Sequence, residues 1–385
     1  MAERGFPKAE FESRLARAQA AMAREGLDGL LVTTHPDVYY FTGFLTGFWE
    51  SPTRPWFVLL PLAGAPVAVI PGIGAVLMAK TWVAEIRTWA SPDLFDDGVS
   101  LLADTVKEVI GSGRIGIPDG HETHLRMPVA DFERLKTACA PVGITGDAGI
   151  VRALRMIKSE AEVTKIETAC AIAGRAFERV GEIARTGETL ASVFRRFQML
   201  CLEEGADQVR YLAGGAGPSG YADVISPASD TPLQEGDCLM LDTGLTRDGY
   251  FCDYDRNFAI GKPDALVRTA HEKLIEATHS GFAAARPGAT AADLFHAMDK
   301  VLTGGEARTD NGRLGHGLGI QLTEWPSLIP ADETVLEPGM VLTLEPGIET
   351  RDGNMLVHEE NIVITENGAR WLSPLQIPAI RVLAP

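Results

Sequence analysis

Cysteine is scarce in this sequence, and long apolar runs are missing from it. The five cysteines among 385 residues are odd in number and include no Cys-x-x-Cys pair, which argues against a disulfide framework. No stretch approaches the roughly 18 apolar residues of a membrane span, and the charged opening MAERGFPKAEFESRL lacks the apolar core of a signal peptide. We therefore expect a protein of the reducing cytoplasm with no membrane segment.

Basic residues are few relative to acidic ones. The chain has 35 Lys and Arg against 52 Asp and Glu, which gives a formal net charge of −17. Such a charge disfavours nucleic acid and anionic membrane surfaces as partners. Hydrophobic residues make up 45% and charged residues 23% of the chain, as in ordinary globular proteins. At this length a single compact core is not expected, so we predict two domains.

The first part of the chain alternates between predicted helices and strands. Helical periodicity covers residues 8–26 and returns near 97–111. Apolar strands are predicted at 30–33 and in the segments WFVLLPL, APVAVIP and RIGIPDG. This alternation is typical of an α/β domain.

A capping box marks the beginning of the second part. Ser159 followed by Glu162 predicts a helix over 159–185, and the domain boundary is placed just before it, which gives domains 1–150 and 151–385. The second domain contains a weak internal repeat, because RTGETLASVF and RPGATAADLF match at five of ten positions with an offset of about 101 residues. The repeat predicts two copies of one unit related by a pseudo-twofold axis, although helix-start chemistry alone also favours Gly and Thr there.

Four carboxylates and one histidine of the second domain stand in short strand-like segments bounded by glycine or proline. They are Asp242, Asp253, His316, Glu345 and Glu359. Oxygen and imidazole ligands suit divalent cations, whereas carboxylates that converge in a cleft without a cation repel one another. The set predicts a dinuclear metal site and a metal-dependent hydrolase.

The surroundings of these residues support the same hypothesis. An Asp-Gly pair between Asp242 and Asp253 predicts a hairpin that brings the two aspartates within about one residue pair of each other on neighbouring strands. A lone histidine is more often structural, but glycines on both sides of His316 let its imidazole enter a crowded cleft. Glu359 stands in an apolar segment, where a carboxylate is costly unless it is paired or bound to metal.

At these residues the chain resembles the pita-bread metallopeptidases, which include Xaa-Pro aminopeptidases, prolidases, methionine aminopeptidases and creatinases. The segments GDCLMLDTG, GYFCDYDR, GHGLGIQLTEWP, LEPGMVLTLEPGI and HEENIVITENG follow the order of the metal-bearing blocks of that family. RLARAQAAMAREGLDGLLVTTHPDVYYFTGF resembles the opening of the creatinase-type N-domain. The resemblance implies an α/β creatinase-like N-terminal domain and an α+β pita-bread catalytic domain with a pseudo-twofold internal repeat.

The resemblance also implies cofactors and roles. Two Mn, Co, Zn or Fe ions are expected, with a hydroxide between them that attacks the scissile amide carbonyl. Carried over by position, Asp242 binds the first metal, and Asp253 and Glu359 bridge both metals. His316 and Glu345 bind the second metal and are the expected catalytic residues, Glu345 as the general base.

Several positions depart from the family pattern and bear on the substrate. Thr323 stands where Xaa-Pro enzymes carry a histidine, and GPSGYADVISPASD lacks a second family histidine. Val357 stands where an arginine is common, with His358 beside it, and Asp255 replaces a threonine. Asp255, Thr323 and His358 are therefore candidate substrate-binding residues.

Three functions stay open from the sequence. One is an Xaa-Pro dipeptidase or aminopeptidase. Another is a non-peptidase that acts on a small amide, imide, amidine or charged metabolite, as a hydrolase or a lyase. A binding module without catalysis is disfavoured, because all five metal ligands are retained.

An aromatic loop and the family resemblance together suggest a homodimer. In the relatives, the N-domain of one subunit covers the active site of its neighbour. The segment TGFLTGFWESPTRPW (42–56) contains Phe48, Trp49 and Trp56 between glycines, which suits a mobile apolar cover. Trp49 is therefore a further substrate-site candidate. Packing of these aromatics within their own domain is the alternative.

Overall fold

The computed structural model describes residues 4–50, 54–306 and 312–385. The chain divides between Arg155 and Met156 into two compact units. Among the described residues, no helix combines the length and the apolar character that a membrane span requires.

The first unit alternates helices with the strands of one sheet. Its elements are α1 (Lys8–Glu25), β1 (Gly29–Val32), α2 (His35–Thr42), β2 (Phe57–Pro61), β3 (Val67–Pro71), α3 (Ala75–Met78), β4 (Glu85–Trp89), α4 (Val99–Ile110), β5 (Arg114–Ile117), α5 (Val129–Ala138), β6 (Gly143–Gly146) and α6 (Ile150–Met156). The strand order is β4-β3-β2-β1-β5-β6. Strand β2 is antiparallel to both neighbours, and the other pairs are parallel. The predicted α/β domain is present.

One face of this sheet is covered by two helices. Leu102 and Val106 of α4 and Leu135 of α5 lie in one hydrophobic cluster with Leu31 of β1 and Leu59 of β2. Strands β1, β2 and β3 are buried along their whole length, as expected of strands in a sheet that is mostly parallel and covered.

The aromatic loop packs partly into its own unit. Trp56 is buried, with its ring centroid 5.1 Å from that of Phe44 and 5.8 Å from that of Trp49. The Arg126 guanidinium lies 5.3 Å from the Trp49 ring centroid, while Phe48 is 36% exposed. These contacts favour the packing interpretation for Trp56 and Trp49. Residues 51–53 of the predicted loop lie outside the described residues.

The second unit contains four helices and twelve strands among its described residues. Its elements are α7 (Glu160–Glu178), α8 (Leu190–Glu203), β7 (Gln208–Gly217), β8 (Cys238–Arg247), β9 (Tyr250–Phe251), β10 (Tyr254–Ile260), α9 (Ala265–Ala284), α10 (Ala291–Thr303), β11 (His316–Gly317), β12 (Glu324–Ser327), β13 (Val341–Leu344), β14 (Gly347–Glu349), β15 (Met355–Val357), β16 (Glu360–Thr365), β17 (Gly368–Trp371) and β18 (Arg381–Leu383). The predicted capping box at Ser159 is present, but α7 ends at Glu178 and not near residue 185.

Two five-stranded sheets form the framework of the second unit. One has the order β18-β10-β8-β7 with β9 paired to β8, and the other has the order β12-β11-β13-β16-β17. Leu274 of α9 and Met298 of α10 lie in one hydrophobic cluster with Leu342 of β13 and Ile362 of β16. Burial of this continuous core holds the sheet that carries β13 and β16 against the two helices.

The internal repeat appears as repeated backbone hydrogen bonding. Thr189 caps α8 and Thr290 caps α10, each side-chain oxygen accepting from a backbone N–H three residues on. The glycine two residues before each cap donates its N–H to a leucine carbonyl, Leu233 at 2.9 Å and Leu336 at 3.0 Å. The two segments matched in sequence therefore make the same local structure in two different parts of the unit.

Candidate metal centre

Three aspartates lie on one face of the sheet at the β8–β10 hairpin. The Asp248–Gly249 turn has positive φ at both residues, 52° and 80°, as a two-residue type I′ hairpin requires. The predicted hairpin is thus present, and its register sets Asp255 directly opposite Asp242. Asp253 is two residues before Asp255 and so shares its face. The partner directly across from Asp242 is therefore Asp255 and not Asp253.

Hydrogen bonds tie β16 and the residue before it to this hairpin. The Glu359 backbone N–H donates to Asp255 Oδ1 at 3.0 Å. The Asp253 backbone N–H donates to Asn361 Oδ1 at 3.0 Å, and the Asn361 amide group donates back to the Asp253 carbonyl. Because these bonds use backbone groups, they fix the two residues while leaving the Asp253 and Glu359 carboxylates available for a ligand.

His316 presents one ring nitrogen to these carboxylates. Its Nε2 lies 3.5 Å from Asp253 Oδ2 and 4.0 Å from Glu359 Oε1. Its Nδ1 lies 2.9 Å from the Gly317 carbonyl oxygen. A carbonyl oxygen only accepts hydrogen bonds, so Nδ1 carries the proton and Nε2 keeps its lone pair. Ligand atoms of the three residues lie within 4.8 Å of one another, which is suitable for a shared cation.

Glycine is required on both sides of His316. A Cβ added at Gly315 would lie 2.2 Å from the Thr343 carbonyl oxygen, and one added at Gly317 would lie 2.2 Å from that of Trp325. Gly315 also has φ of 138°, a region that side chains rarely adopt. The close approach of neighbouring backbone explains the glycine bracket that the sequence shows.

Glu345 stands at the carboxyl end of β13, beside an open cavity. Its backbone N–H donates to the Leu314 carbonyl at 2.9 Å. The side chain is partly buried and lines a cavity of about 410 Å³. Burial raises the pKa of Glu345 to about 7, while the charge of Arg313 opposes that increase. A carboxyl group with this pKa can exchange protons near neutral pH.

The other carboxylates are held in an environment that disfavours their charge. Burial and mutual repulsion raise the pKa of Asp242, Asp253 and Glu359 well above the ordinary range. Among the described residues, Asp242 Oδ1, Asp253 Oδ1 and Glu359 Oε1 have no hydrogen-bond partner. Burial lowers the pKa of His316 to about 4, so its imidazole is neutral. Free buried oxygens beside a neutral imidazole fit a divalent cation.

Asp255 and His358 belong to a buried charge network next to Glu359. His358 Nδ1 lies 3.3 Å from Asp255 Oδ1, and its Nε2 lies 3.4 Å from Glu360 Oε1. Arg256 Nη2 pairs with Glu360 Oε2 at 3.0 Å. Burial lowers the pKa of His358, but its contacts with Asp255 and Glu360 outweigh burial, so that the pKa is raised. We interpret Asp255 and His358 as residues that position Glu359.

We expect His358→Gln to weaken metal binding by about 10–100-fold, as loss of a partner outside the metal shell typically does. It leaves Asp255 buried without its counter-charge, and breaking such a pair costs about 3–5 kcal/mol. Calorimetric metal titration and urea unfolding measure the two effects. The double variant Asp255→Asn/His358→Gln removes both charges and should recover part of the stability. Unchanged metal affinity in His358→Gln would refute the positioning role.

The remaining predicted residues lie in different places. Thr323 is partly buried, and its Oγ1 accepts a hydrogen bond from Arg313 Nη2 at 3.4 Å. Trp49 belongs to the first unit. In the second unit, the carboxylates of Asp242, Asp253, Glu345 and Glu359 repel one another, and His316 contacts Asp253.

Two residues near the metal ligands were not predicted from the sequence. Tyr211 of β7 donates a hydrogen bond to Asp242, and burial and the nearby carboxylates raise its pKa. It pairs with Gly244 of β8, so only strand pairing shows that it is near the metal ligands. Arg313 precedes His316 by three residues, and it is the one charged residue in NGRLGHGLG. A single charge in a glycine-rich segment next to a metal ligand could have marked Arg313 as a functional residue.

Family models match both units of the chain. Residues 164–366 match metallopeptidase family M24, and residues 14–157 match the creatinase/prolidase N-terminal domain. The probable dipeptidase PepE of Mycobacterium tuberculosis is 33% identical over 379 residues, 96% of each protein. The Xaa-Pro dipeptidase of Pyrococcus furiosus is 33% identical over 376 residues, 94% of this chain and 98% of that protein.

Solved structures with the same fold cover nearly the whole chain. The crystal structure of dipeptidase PepE from Mycobacterium ulcerans has a TM-score of 0.84 at 29% identity, covering 99% of this chain and all of that one. The prolidase from Pyrococcus horikoshii has a TM-score of 0.81 at 24% identity, covering 96% of this chain and 100% of that one. These similarities confirm the creatinase-like N-terminal domain and the pita-bread fold of the second unit.

Proposed function

We propose that this chain, which belongs to metallopeptidase family M24, is a dipeptidase that hydrolyses the amide bond of Xaa-Pro and related dipeptides. Membership of this family shows that the chain is a metal-dependent hydrolase. The observation that carries the proposal is the convergence of Asp253, His316 and Glu359, with two free carboxylate oxygens and one ring lone pair among them.

Two divalent ions, Mn, Co, Zn or Fe, complete the proposed site. When bound, they polarise a carbonyl and lower the pKa of water. Asp242, His316 Nε2 and Glu345 would hold them. Asp253 and Glu359 each have a free buried oxygen and would also hold the ions. Loss of the mutual repulsion among the buried carboxylates favours binding of both cations.

Glu345 is the proposed proton carrier. As a carboxylate beside the proposed metal site, it can accept a proton from the attacking water and deliver it to the leaving amine. It stands where a strand end meets the cavity, so a substrate amide can reach it.

The names of the relatives favour a peptidase over the alternative small-amide or lyase activity. Both relatives described above are called dipeptidases. The missing family histidines and arginine therefore point to altered substrate contacts within peptide hydrolysis.

A cytoplasmic homodimer completes the proposal. All five cysteines are free and buried, which is in keeping with a reducing compartment. The homodimer rests on the family resemblance, and light scattering on the purified protein measures it.

A substrate panel tests the proposed function. We expect Mn²⁺- or Co²⁺-loaded protein to cleave Ala-Pro, with activity abolished by EDTA and restored by metal. Ala-Ala and a small cyclic amide serve as comparison substrates. Hydrolysis of the cyclic amide with none of either dipeptide would replace the dipeptidase by the small-amide alternative.

A further inference from the structure

A buried ion pair lies beside the strand that carries His316. Lys158 Nζ lies 3.0 Å from Glu324 Oε2, and the two side chains are only 2% and 6% exposed. Glu324 belongs to β12, where it pairs with Gly317 of β11, the residue after His316. Burying two charges removes both from water, and replacing such a pair by apolar residues is often neutral or stabilising. Stability alone therefore does not explain this pair.

The Glu324 carboxylate packs directly on the backbone of the loop between β11 and β12. Its Oε1 accepts the Gln321 backbone N–H at 3.1 Å, and a Cβ added at Gly319 would lie 2.8 Å from each carboxylate oxygen. Lys158 is itself fixed, because its backbone N–H donates at 2.9 Å to the carbonyl of Gly339, two residues before β13. The ion pair therefore ties this loop to the segment that leads into β13.

The same loop connects the histidine with the aspartate that it contacts. The Gly319 carbonyl accepts the Phe251 backbone N–H at 2.9 Å, and Phe251 precedes Asp253 by two residues. At the other end, His316 Nδ1 lies 2.9 Å from the Gly317 carbonyl oxygen. The orientation of the imidazole relative to Asp253 therefore depends on where this backbone is held.

The charge of Glu324 also reaches the imidazole. Burial is the main cause that lowers the pKa of His316, and the negative charge of Glu324 opposes that decrease. A negative charge near a neutral imidazole favours a cation at the ring lone pair, since opposite charges attract. Residues that hold a metal-ligating histidine from outside the metal shell typically change metal affinity by about 10–100-fold.

We propose that Lys158 and Glu324 position His316 and set the affinity of the site for the cation that its Nε2 would hold. This inference rests on the metal site of the proposed function and names two positioning residues for it. Lys158 balances the charge of Glu324 in the buried site, and Glu324 holds the backbone on which the imidazole depends. Both residues act through His316 and not on the substrate.

Titration of metal-free protein with Co²⁺ tests this role, followed by calorimetry and by the visible absorption of bound Co²⁺. The double variant Lys158→Met/Glu324→Gln removes both charges, and the glutamine oxygen can still accept the Gln321 N–H. Its melting temperature should stay near that of wild type. One of two Co²⁺ equivalents should bind about 10–100-fold more weakly, and the absorption spectrum should differ because the histidine is oriented differently.

A buried ion pair of the first unit provides the matched control. Arg155 Nη1 lies 2.8 Å from Asp37 Oδ1, with both side chains largely buried. The proposed metal ligands all belong to the second unit. The double variant Asp37→Asn/Arg155→Met should therefore leave the Co²⁺ affinity and spectrum unchanged.

The single variant Glu324→Gln leaves the Lys158 cation buried without its counter-charge, so it should lose both stability and Co²⁺ affinity. Adding Lys158→Met should restore the stability but not the affinity, which separates positioning from support of the fold. If either variant binds both Co²⁺ equivalents with wild-type affinity and spectrum, the positioning role is refuted while the metal site stands. If wild-type protein binds no Co²⁺, the metal site of the proposed function fails and this inference with it.

Discussion

Replacing Asp253 with asparagine is expected to lower kcat/KM by about 10³-fold or more, since loss of a partner outside the metal shell already costs roughly 10–100-fold. Asp253 contacts His316 at 3.5 Å and has a free buried oxygen, so one substitution removes a charge and a bridging ligand from both proposed ions. Steady-state kinetics with Ala-Pro and metal analysis of the purified variant measure the two losses together.

Asp237→Asn is the matched control for this experiment. Asp237 is also a buried aspartate, but its Oδ2 accepts the Gln234 backbone N–H at 2.8 Å, and an asparagine oxygen can accept the same bond. Activity and metal content near wild type are expected. An Asp253→Asn variant that retains wild-type activity and metal would show that Asp253 is not a ligand.

Stripping the metal is expected to lower the melting temperature by several degrees, and by more at pH 8 than at pH 5.5. In the metal-free protein, burial raises the pKa of Asp242, Asp253 and Glu359, and that of Glu345 to about 7. Unfolded carboxyl groups titrate near pH 4, so the folded protein binds more protons above that pH. The stability that these carboxyl groups contribute to the metal-free protein is fully present below about pH 4. It is lost as pH rises through their folded-state pKa values.

The metal-free folded protein favours the protonated carboxyl groups. A bound cation reverses that preference, because it stabilises the ionised carboxylates. The difference in melting temperature between metal-loaded and metal-free protein should therefore widen from pH 5.5 to 8. Differential scanning calorimetry on both forms gives that difference, and reloading the stripped sample checks that the loss is reversible. A gap that is constant or narrows with pH would mean that the buried carboxylates are not the metal ligands.

The position of the metal ligands could be predicted because each stands at a break in a regular pattern. Glycine and proline bracket His316 and Glu345, and the structure shows why at Gly315 and Gly317, where neighbouring carbonyl oxygens leave no room for a side chain. Glu359 interrupts an apolar segment, and such an interruption needs a compensating partner. These are local signals, and the sequence contains them directly.

The register of the aspartates follows from the turn between them. A two-residue turn at Asp248–Gly249 fixes the pairing of all residues before and after it. Counting back from the turn places Asp255 opposite Asp242, as observed. The length of α7 was overestimated because the apolar pattern continues past Glu178, with Val180 and Ile183 still buried, although the chain has left the α-helix.

The charge network and the cavity could not be predicted. The contact of His358 with Asp255 joins segments separated by more than 100 residues, and it depends on how β10 and the segment before β16 approach each other. Tyr211 reaches Asp242 across a strand pair. The hydrogen bond from the Glu345 backbone N–H to the Leu314 carbonyl joins the segment of Arg313 to the end of β13. Such contacts arise from tertiary packing, whereas the periodicity of a single segment predicts only its local structure.

Metal content per chain is the most direct test of the dinuclear hydrolase. The protein is purified without chelator and without a metal-affinity resin, and its metals are counted by mass spectrometry before and after reconstitution. We expect about two equivalents of Mn, Co, Zn or Fe per chain, with Ala-Pro hydrolysis rising in proportion to occupancy. A protein that contains no metal, gains none on reconstitution and still cleaves Ala-Pro would contradict the account.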